Sequence, residues 1–222
     1  MTQTLTAAEL EDIGLIAIVR TDAEADLRRV AEALGEGGIR AMEITLNTPG
    51  ALPAIGAVRR ALSPAMRVGA GTILGLEDAR AAFEAGAEFI VTPTLQPGTI
   101  AYCRENGVPI ACGCMTPTEA LAAHVAGADF IKLFPAESLG PAYVRALRAP
   151  LPFLRIIPTG GVSLDTLAAF LQAGCVGVAL GSNLVSKAVL QNRDWAALTA
   201  TARQYVQALV AARAALKGET IA

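Results

Sequence analysis

The sequence predicts an α/β fold, a single-domain (β/α)8 TIM barrel that covers residues 1–222 and ends in a C-terminal helix. Short apolar, β-branched runs alternate with Ala-, Glu- and Leu-rich stretches of helical spacing, and there are eight runs of the first kind. A glycine turn recurs between helix and strand at multiples of roughly 20 to 24 residues, the length of one strand-helix unit. Eight such units close into a barrel, whereas the alternative, a doubly wound open sheet, would lack its usual G-x-G-x-x-G turn.

The eight predicted strands are apolar runs that end at polar or glycine-rich positions. They cover residues 15–20, 41–47, 67–72, 89–93, 109–113, 130–135, 155–161 and 176–182. Helices are predicted at 22–36, 51–62, 76–85, 97–106, 117–126, 141–147, 164–173 and, as the C-terminal helix, 194–217. Three of them carry start signals, namely Thr116 ahead of Glu119, Gly140 before Pro141, and Ser163 with Asp165 in the first turn.

Composition argues against several classes of protein. With 222 residues, 53% of them hydrophobic, the chain can bury a full core. A net charge of -2 and the lack of a basic run argue against a nucleic-acid or anionic-membrane partner and favour a small molecule. No apolar run approaches the about 18 residues of a membrane span, and the first residues lack the basic segment of a signal peptide, so we expect a cytoplasmic protein. The four cysteines form no C-x-x-C pair that would indicate zinc or a disulfide framework.

Lys132 stands in the apolar run 130–135 and is one of only three lysines. A strand of this kind is buried on both faces, where an ammonium is costly unless it is paired or loses its proton. The neutral amine is a nucleophile towards carbonyl carbon, so the first hypothesis is Schiff-base chemistry. The alternative is a lysine that reaches water or pairs with a carboxylate without any chemistry.

Polar residues on the other strands are predicted to share the lumen with Lys132. Alternation along 41–47 points the apolar side chains at the helices and Glu43, Thr45 and Asn47 inward. The same alternation turns Arg20, Thr72 and Thr159 inward near the carboxyl ends of their strands, the end at which barrels gather function. Each has a structural alternative, since Glu43 and Lys132 could form a buried ion pair and the others a rim charge and strand caps.

Two glycine-containing loops follow the seventh and eighth strands. Thr159-Gly160-Gly161 ends one of these strands and Gly181-Ser182 ends the other. Both loops can offer backbone N–H groups to an anion, which is the usual phosphate position of such barrels. A Gly-Gly pair alone is a weak signal, because glycines are also common in ordinary turns. Two glycine-containing loops after the seventh and eighth strands together predict a phosphate site.

Seven motifs occur in order over almost the whole chain. They are IAIVR at 16–20, EITLNTP at 43–49, VGAGT at 68–72, VTP at 91–93, KLFPA at 132–136, PTGGV at 158–162 and GS at 181–182. Together these motifs resemble the family of 2-keto-3-deoxy-6-phosphogluconate and 2-keto-3-deoxy-6-phosphogalactonate aldolases. These enzymes are class I, metal-free aldolases on a (β/α)8 barrel, usually trimeric, and they release pyruvate and glyceraldehyde 3-phosphate.

The resemblance implies a role for each predicted site residue and no cofactor. Lys132 would form the Schiff base and Glu43 would transfer protons. Arg20 and Thr72 would hold the carboxylate end of the substrate. Walls of the pocket and the phosphate site would come from the remaining residues, Pro93, Phe134, Thr159, Gly160, Gly161, Gly181 and Ser182. A homotrimer that binds a phosphorylated keto acid is expected.

The resemblance leaves the C4 epimer of the substrate open. Asn47, where the gluconate enzymes typically carry arginine, resembles the galactonate branch, whereas Thr159 resembles the gluconate branch. The galactonate compound, or both, is expected, with 4-hydroxy-2-oxoglutarate as a lesser substrate.

Three rival functions use the same barrel. An isomerase or epimerase would need the glycine loops but no strand lysine. A metal-dependent aldolase would need a His or carboxylate cluster, yet the only histidine, His124, is predicted on a helix away from the rim. A non-catalytic assembly protein would use the barrel as a scaffold.

Overall fold

Eight parallel strands form one sheet in the computed structural model, which describes residues 4–21 and 26–219. From β1 to β7 each strand pairs with the next in sequence, and the first strand also pairs with the eighth. The predicted barrel is therefore confirmed and the open sheet is wrong. The strands are β1 Leu15–Val19, β2 Ala41–Thr45, β3 Arg67–Gly71, β4 Ile90–Val91, β5 Ile110–Cys114, β6 Phe130–Leu133, β7 Ile156–Pro158 and β8 Val178–Leu180.

The barrel closes between β7 and β8. An isolated parallel bridge joins Thr159 to Ala179, and the N–H of Val176 donates to the carbonyl of Ile156 at 3.0 Å. Several observed strands are shorter than the sequence predicts at their carboxyl ends. Beyond Pro158, for example, Gly160 and Gly161 take φ values of 89° and 73°, which end the ladder and begin a loop.

The helices surround the strands, and their apolar faces form the outer layer of the core. Residues 22–25 of the predicted helix 22–36 lie outside the described residues. Two short helices, the first and the ninth, were not predicted. The helices are α1 Ala7–Ile13, α2 Leu27–Glu36, α3 Ala51–Leu62, α4 Leu76–Glu84, α5 Pro97–Asn106, α6 Pro117–Ala126, α7 Gly140–Arg148, α8 Leu164–Gln172, α9 Lys187–Asn192 and α10 Trp195–Glu219.

Helix α1 closes the amino-terminal end of the barrel. Leu5 and Leu10 are 2% exposed and pack in the lumen with Phe89 and Phe130. A capping box between Thr6 and Glu9 begins the helix. The helix is fixed by ion pairs, since Arg67 bonds Glu9 at 3.2 Å and the buried Glu88 at 2.9 Å. This packing fills the amino-terminal end of the lumen.

Candidate active site

A cleft of about 860 Å³ opens at the carboxyl end of the barrel. All the predicted site residues except Glu43 line it, and Asn47 does so as well. Glu43 lies beneath, 1% exposed. The structure thus brings together residues from six strands or the loops that follow them: Arg20, Thr72, Pro93, Lys132, Phe134, Thr159, Gly160, Gly161, Gly181 and Ser182.

Lys132 and Glu43 face each other across the lumen. Nζ of Lys132 lies 3.9 Å from Oε1 of Glu43, and the two side chains are 7% and 1% exposed. The same Nζ lies 5.5 Å from the centroid of the Phe134 ring. Burial raises the pKa of Glu43, an effect that the charges of Lys132 and Arg20 oppose. Neither oxygen of Glu43 accepts a hydrogen bond from the described part of the chain, so the carboxyl can exchange protons with a substrate.

Glycines on β3 and β5, the strands beside β2 and β6, allow close packing around this pair. Gly71 is on β3, and a Cβ placed there would be 2.5 Å from Oε1 of Glu43. Gly113 is the register partner of Lys132 on β5, and a Cβ there would be 2.1 Å from the carbonyl carbon of Pro93. A barrel lumen is normally filled with side chains. Here Gly71 leaves room for the carboxyl group of Glu43, and Gly113 lets the backbone of Pro93 lie close against β5.

Arg20 directly follows β1 and its guanidinium reaches the cleft. It donates a hydrogen bond to the hydroxyl of Thr72 at 3.4 Å. Thr72 has φ of 58°, which is rare for a β-branched residue and is found mostly where surrounding structure enforces it. An exposed arginine beside a hydroxyl suits a carboxylate ligand, because its donors can bind both carboxylate oxygens.

The two glycine loops after β7 and β8 lie side by side. The side-chain amide of Asn183 donates to the carbonyl of Val162 at 2.9 Å and joins them. Gly181 accepts from the N–H groups of Leu184 and Val185 at 2.9 and 2.8 Å, which fixes the tight turn after β8. Gly161 is exposed, with φ of 73° and the side chain of Glu137 packed beside it. This wall of the cleft is therefore suited to an anion.

Sequence reasoning missed the segment that begins at α9. Lys187, Leu190, Gln191 and Arg193 line the same cleft, and the two cations add positive charge to its outer part. The segment immediately follows the predicted Gly181-Ser182 loop, and this proximity is the signal that could have identified it. Its remaining unpredicted neighbours in the cleft are Ile18, Thr21, Val162, Asn183 and Val185.

Other candidate chemistry lies away from the cleft. His124 is on α6, as predicted, with its ring centroid 4.6 Å from that of Phe153. Among residues 4–21 and 26–219 there is no group of three His, Cys, Asp or Glu side chains that could hold a metal ion. No helix in this part of the chain is both long enough and apolar enough to cross a membrane.

The fold and the buried amine-carboxyl pair define a class of barrel enzyme that acts on a carbonyl compound with an anionic end. The chain belongs to the KDPG and KHG aldolase family, whose model matches residues 7–201. It is 39% identical over 197 residues to the 2-dehydro-3-deoxy-phosphogluconate aldolase of Pseudomonas aeruginosa, covering 87% of this chain and 88% of the relative. It is 37% identical over 173 residues to the 2-dehydro-3-deoxy-6-phosphogalactonate aldolase of Escherichia coli K12, covering 78% and 84%.

A solved structure described as native KDPGal superposes with a TM-score of 0.82 at 35% identity and covers 89% of this chain and 95% of its own. The resemblance in the motifs is therefore confirmed at the level of the family, and the protein is a lyase of the aldolase type.

Proposed function

We propose that the protein is a class I aldolase that cleaves 2-keto-3-deoxy-6-phosphogalactonate, 2-keto-3-deoxy-6-phosphogluconate or both into pyruvate and D-glyceraldehyde 3-phosphate. The observation that carries this proposal is the buried pair of Lys132 and Glu43, 3.9 Å apart at the base of a cleft with a cationic and glycine-lined rim. Relatives that match most of the chain are named for these two substrates.

The amine of Lys132 attacks the C2 ketone and forms a carbinolamine. Glu43 donates a proton to the departing hydroxyl, water leaves, and the resulting iminium is an electron sink. Glu43, now ionised, takes the proton of the C4 hydroxyl, directly or through a water. The electron pair of the C3–C4 bond then moves into the iminium to give an enamine, and the aldehyde leaves. Protonation at C3 and hydrolysis release pyruvate and regenerate the amine.

The two ends of the substrate are held by different walls. Arg20, supported by Thr72, binds the carboxylate beside the ketone. Gly160, Gly161, Gly181 and Ser182 bind the phosphate through N–H groups and a hydroxyl. Pro93 and Phe134 line the middle, where apolar walls exclude water from the iminium.

Reductive trapping tests this chemistry. Borohydride added with pyruvate should leave one irreversible adduct per chain, visible in the intact mass, and peptide mapping should place it on Lys132. Only three lysines are present, so the mapping is decisive. Lys132→Ala should abolish both adduct and turnover, whereas Lys187→Ala in the outer cleft and Lys217→Ala on α10 should keep the adduct. An isomerase or epimerase would give no adduct, and turnover by Lys132→Ala would refute the proposed role.

The preferred C4 epimer can be determined by measuring the cleavage rates of the two phosphorylated substrates under the same conditions. Asn47 and Thr159 both line the cleft, so both can contact the part of the substrate near C4. A solved structure named as a 4-hydroxy-2-oxoglutarate aldolase/2-deydro-3-deoxyphosphogluconate aldolase, at 33% identity and a TM-score of 0.80, favours 4-hydroxy-2-oxoglutarate as a further substrate. We expect this compound to be cleaved more slowly, because it lacks the phosphate that the glycine loops would bind.

The proposal includes a homotrimer in the cytoplasm. Family resemblance supports the trimer. A solved chain that matches at 32% identity belongs to a protein cage that was designed by fusing symmetric oligomeric domains. Light scattering should give about 68 kDa, three times the 22.8 kDa of the chain. A phosphorylated sugar-acid substrate supports the cytoplasmic location, which cell fractionation would test.

A further inference from the structure

Two buried threonines at the carboxyl end of β2 contact the backbone on both sides of Arg20. Thr45 is 0% exposed and Thr48 is 3% exposed. The hydroxyl of Thr45 donates to the carbonyl of Val19 at 3.4 Å, and the N–H of Thr21 donates to the hydroxyl of Thr48 at 3.3 Å. The two hydroxyls are 3.1 Å apart. Residues 19 and 21 are thus both tied to one pair of hydroxyls, with Arg20 between them.

The direction of these bonds follows from the donors available. The Thr45 hydroxyl has one proton, and when that proton is on the carbonyl of Val19 the bond between the hydroxyls is donated by Thr48. Thr48 in turn accepts from Thr21. The result is a continuous chain from the N–H of Thr21 through both hydroxyls to the carbonyl of Val19. Each member of such a chain strengthens the next, and burial leaves no water to replace a lost bond.

Arg20 needs such support because its own contacts are few. Its side chain is exposed, and within the described part of the chain its guanidinium makes one hydrogen bond, to Thr72 at 3.4 Å. A long, exposed arginine has many rotamers to lose when it binds. Its reach is therefore set by the backbone from which it starts, and that backbone is held by Thr45 and Thr48.

We propose that Thr45 and Thr48 are positioning residues, which orient Arg20 for the carboxylate of a 2-oxo acid. The inference rests on the proposed function, because it assigns the carboxylate to Arg20. In this proposal β2 has two roles, since it carries Glu43 for proton transfer and, two residues later, Thr45, the first residue of the threonine pair. The pair acts on binding of the carboxylate and leaves the proton transfer by Glu43 unchanged.

A double-mutant cycle between Thr48 and Arg20 tests the inference. Thr48→Val keeps the shape and removes the hydroxyl. It should raise KM, and the pyruvate concentration needed for half-maximal borohydride trapping, about five- to tenfold with kcat within about twofold, which is the pattern of lost uniform binding. Thr48→Ser restores the hydroxyl and should recover most of the loss. In an Arg20→Gln background Thr48→Val should have almost no further effect on KM, because its target is gone.

The matched control is Thr99→Val on α5. Thr99 is 1% exposed and its hydroxyl has no hydrogen-bond partner among the described residues, so this variant changes a buried threonine without breaking a bond. It should leave KM unchanged. Thr45→Val, which removes the donor to Val19, tests the same chain of bonds if Thr48→Val does not fold.

The outcomes separate this inference from the proposed function. An adduct on Lys132 together with an unchanged KM in Thr48→Val would overturn the positioning role alone. Additive losses in the cycle, or a fall in kcat equal to the rise in KM, would show a general structural role and also overturn it. No pyruvate adduct in the wild-type protein would overturn both the aldolase and the inference.

Discussion

Gly71→Ala should slow the enzyme strongly without removing any functional group. A Cβ at position 71 would lie 2.5 Å from Oε1 of Glu43, and ordinary contact begins at about 3.4 Å. The carboxyl oxygen must therefore move by about 0.9 Å, since Gly71 is on the paired strand β3 and its backbone is the less mobile of the two. This is the same oxygen that lies 3.9 Å from Nζ of Lys132.

Displacement of this size acts mainly on rate. Misplacing a reacting group by about 1 Å costs on the order of 10²-fold, so we expect kcat to fall by about that factor. Overpacking costs about 1 to 3 kcal/mol, at about 2–4 °C per kcal/mol in a chain of this length, so the protein should still fold. The assay couples pyruvate release to lactate dehydrogenase, with thermal melts followed by circular dichroism.

The matched control is Gly75→Ala, in the loop that follows β3. Nothing lies within 4 Å of a Cβ at this position, and φ of -175° is extended backbone that any residue adopts. Gly75→Ala should keep full activity. Wild-type turnover by Gly71→Ala in a fully folded protein would refute the reasoning, because the position of the Glu43 carboxyl would then have little influence on catalysis.

Two further predictions concern charge. Burial raises the pKa of Glu43 above 4.5, so the contribution of its protonated form to stability is present at low pH and is lost as pH rises through the folded-state pKa. Glu43→Gln mimics the protonated form, so its melting temperature should exceed that of the wild type by more at pH 8 than at pH 4. The same variant should lose about 10²-fold in kcat. A difference in melting temperature between the variant and the wild type that does not change with pH would contradict this prediction. Lys187→Gln and Arg193→Gln should each raise KM about two- to fivefold for the phosphorylated substrate at low salt and less at high salt. Equal effects on 4-hydroxy-2-oxoglutarate would rule out a role in phosphate binding.

The sequence could predict the barrel and the inner site because both depend on alternation. A lysine inside an apolar run must face the lumen or the helices, and counting in twos along β2 places Glu43 on the lumen side with it. The structure agrees, with both side chains buried and facing each other. Glycine loops after the last two strands are equally local signals. Their position follows from strand order alone, since parallel strands all end on one side.

Sequence reasoning missed the parts that depend on tertiary contacts. Helix α1 has seven residues, of which only Leu10 is buried, and its place is set by packing in the lumen and by ion pairs such as Arg67 with Glu9. Helix α9 has six residues and none is buried, so it carries no amphipathic period. The bonds from Thr45 and Thr48 to the backbone beside Arg20 link residues 26 and 27 positions apart, and no local pattern reports them.

The chemistry of the site depends on a division of the lumen into two parts. The lower part is packed by Leu10 of α1 with Phe89 and Phe130, and the raised pKa of Glu43 follows from burial just above this packing. The upper part is the open cleft, where Gly71 leaves room for the Glu43 carboxyl and Gly113 lets the backbone of Pro93 lie close to β5. A packed floor alone would bury the amine and carboxyl without access, and an open lumen alone would hydrate them. Reactive groups that are desolvated yet reachable require both, and Gly71 contributes to this arrangement because the Glu43 carboxyl occupies the space that a Cβ would fill.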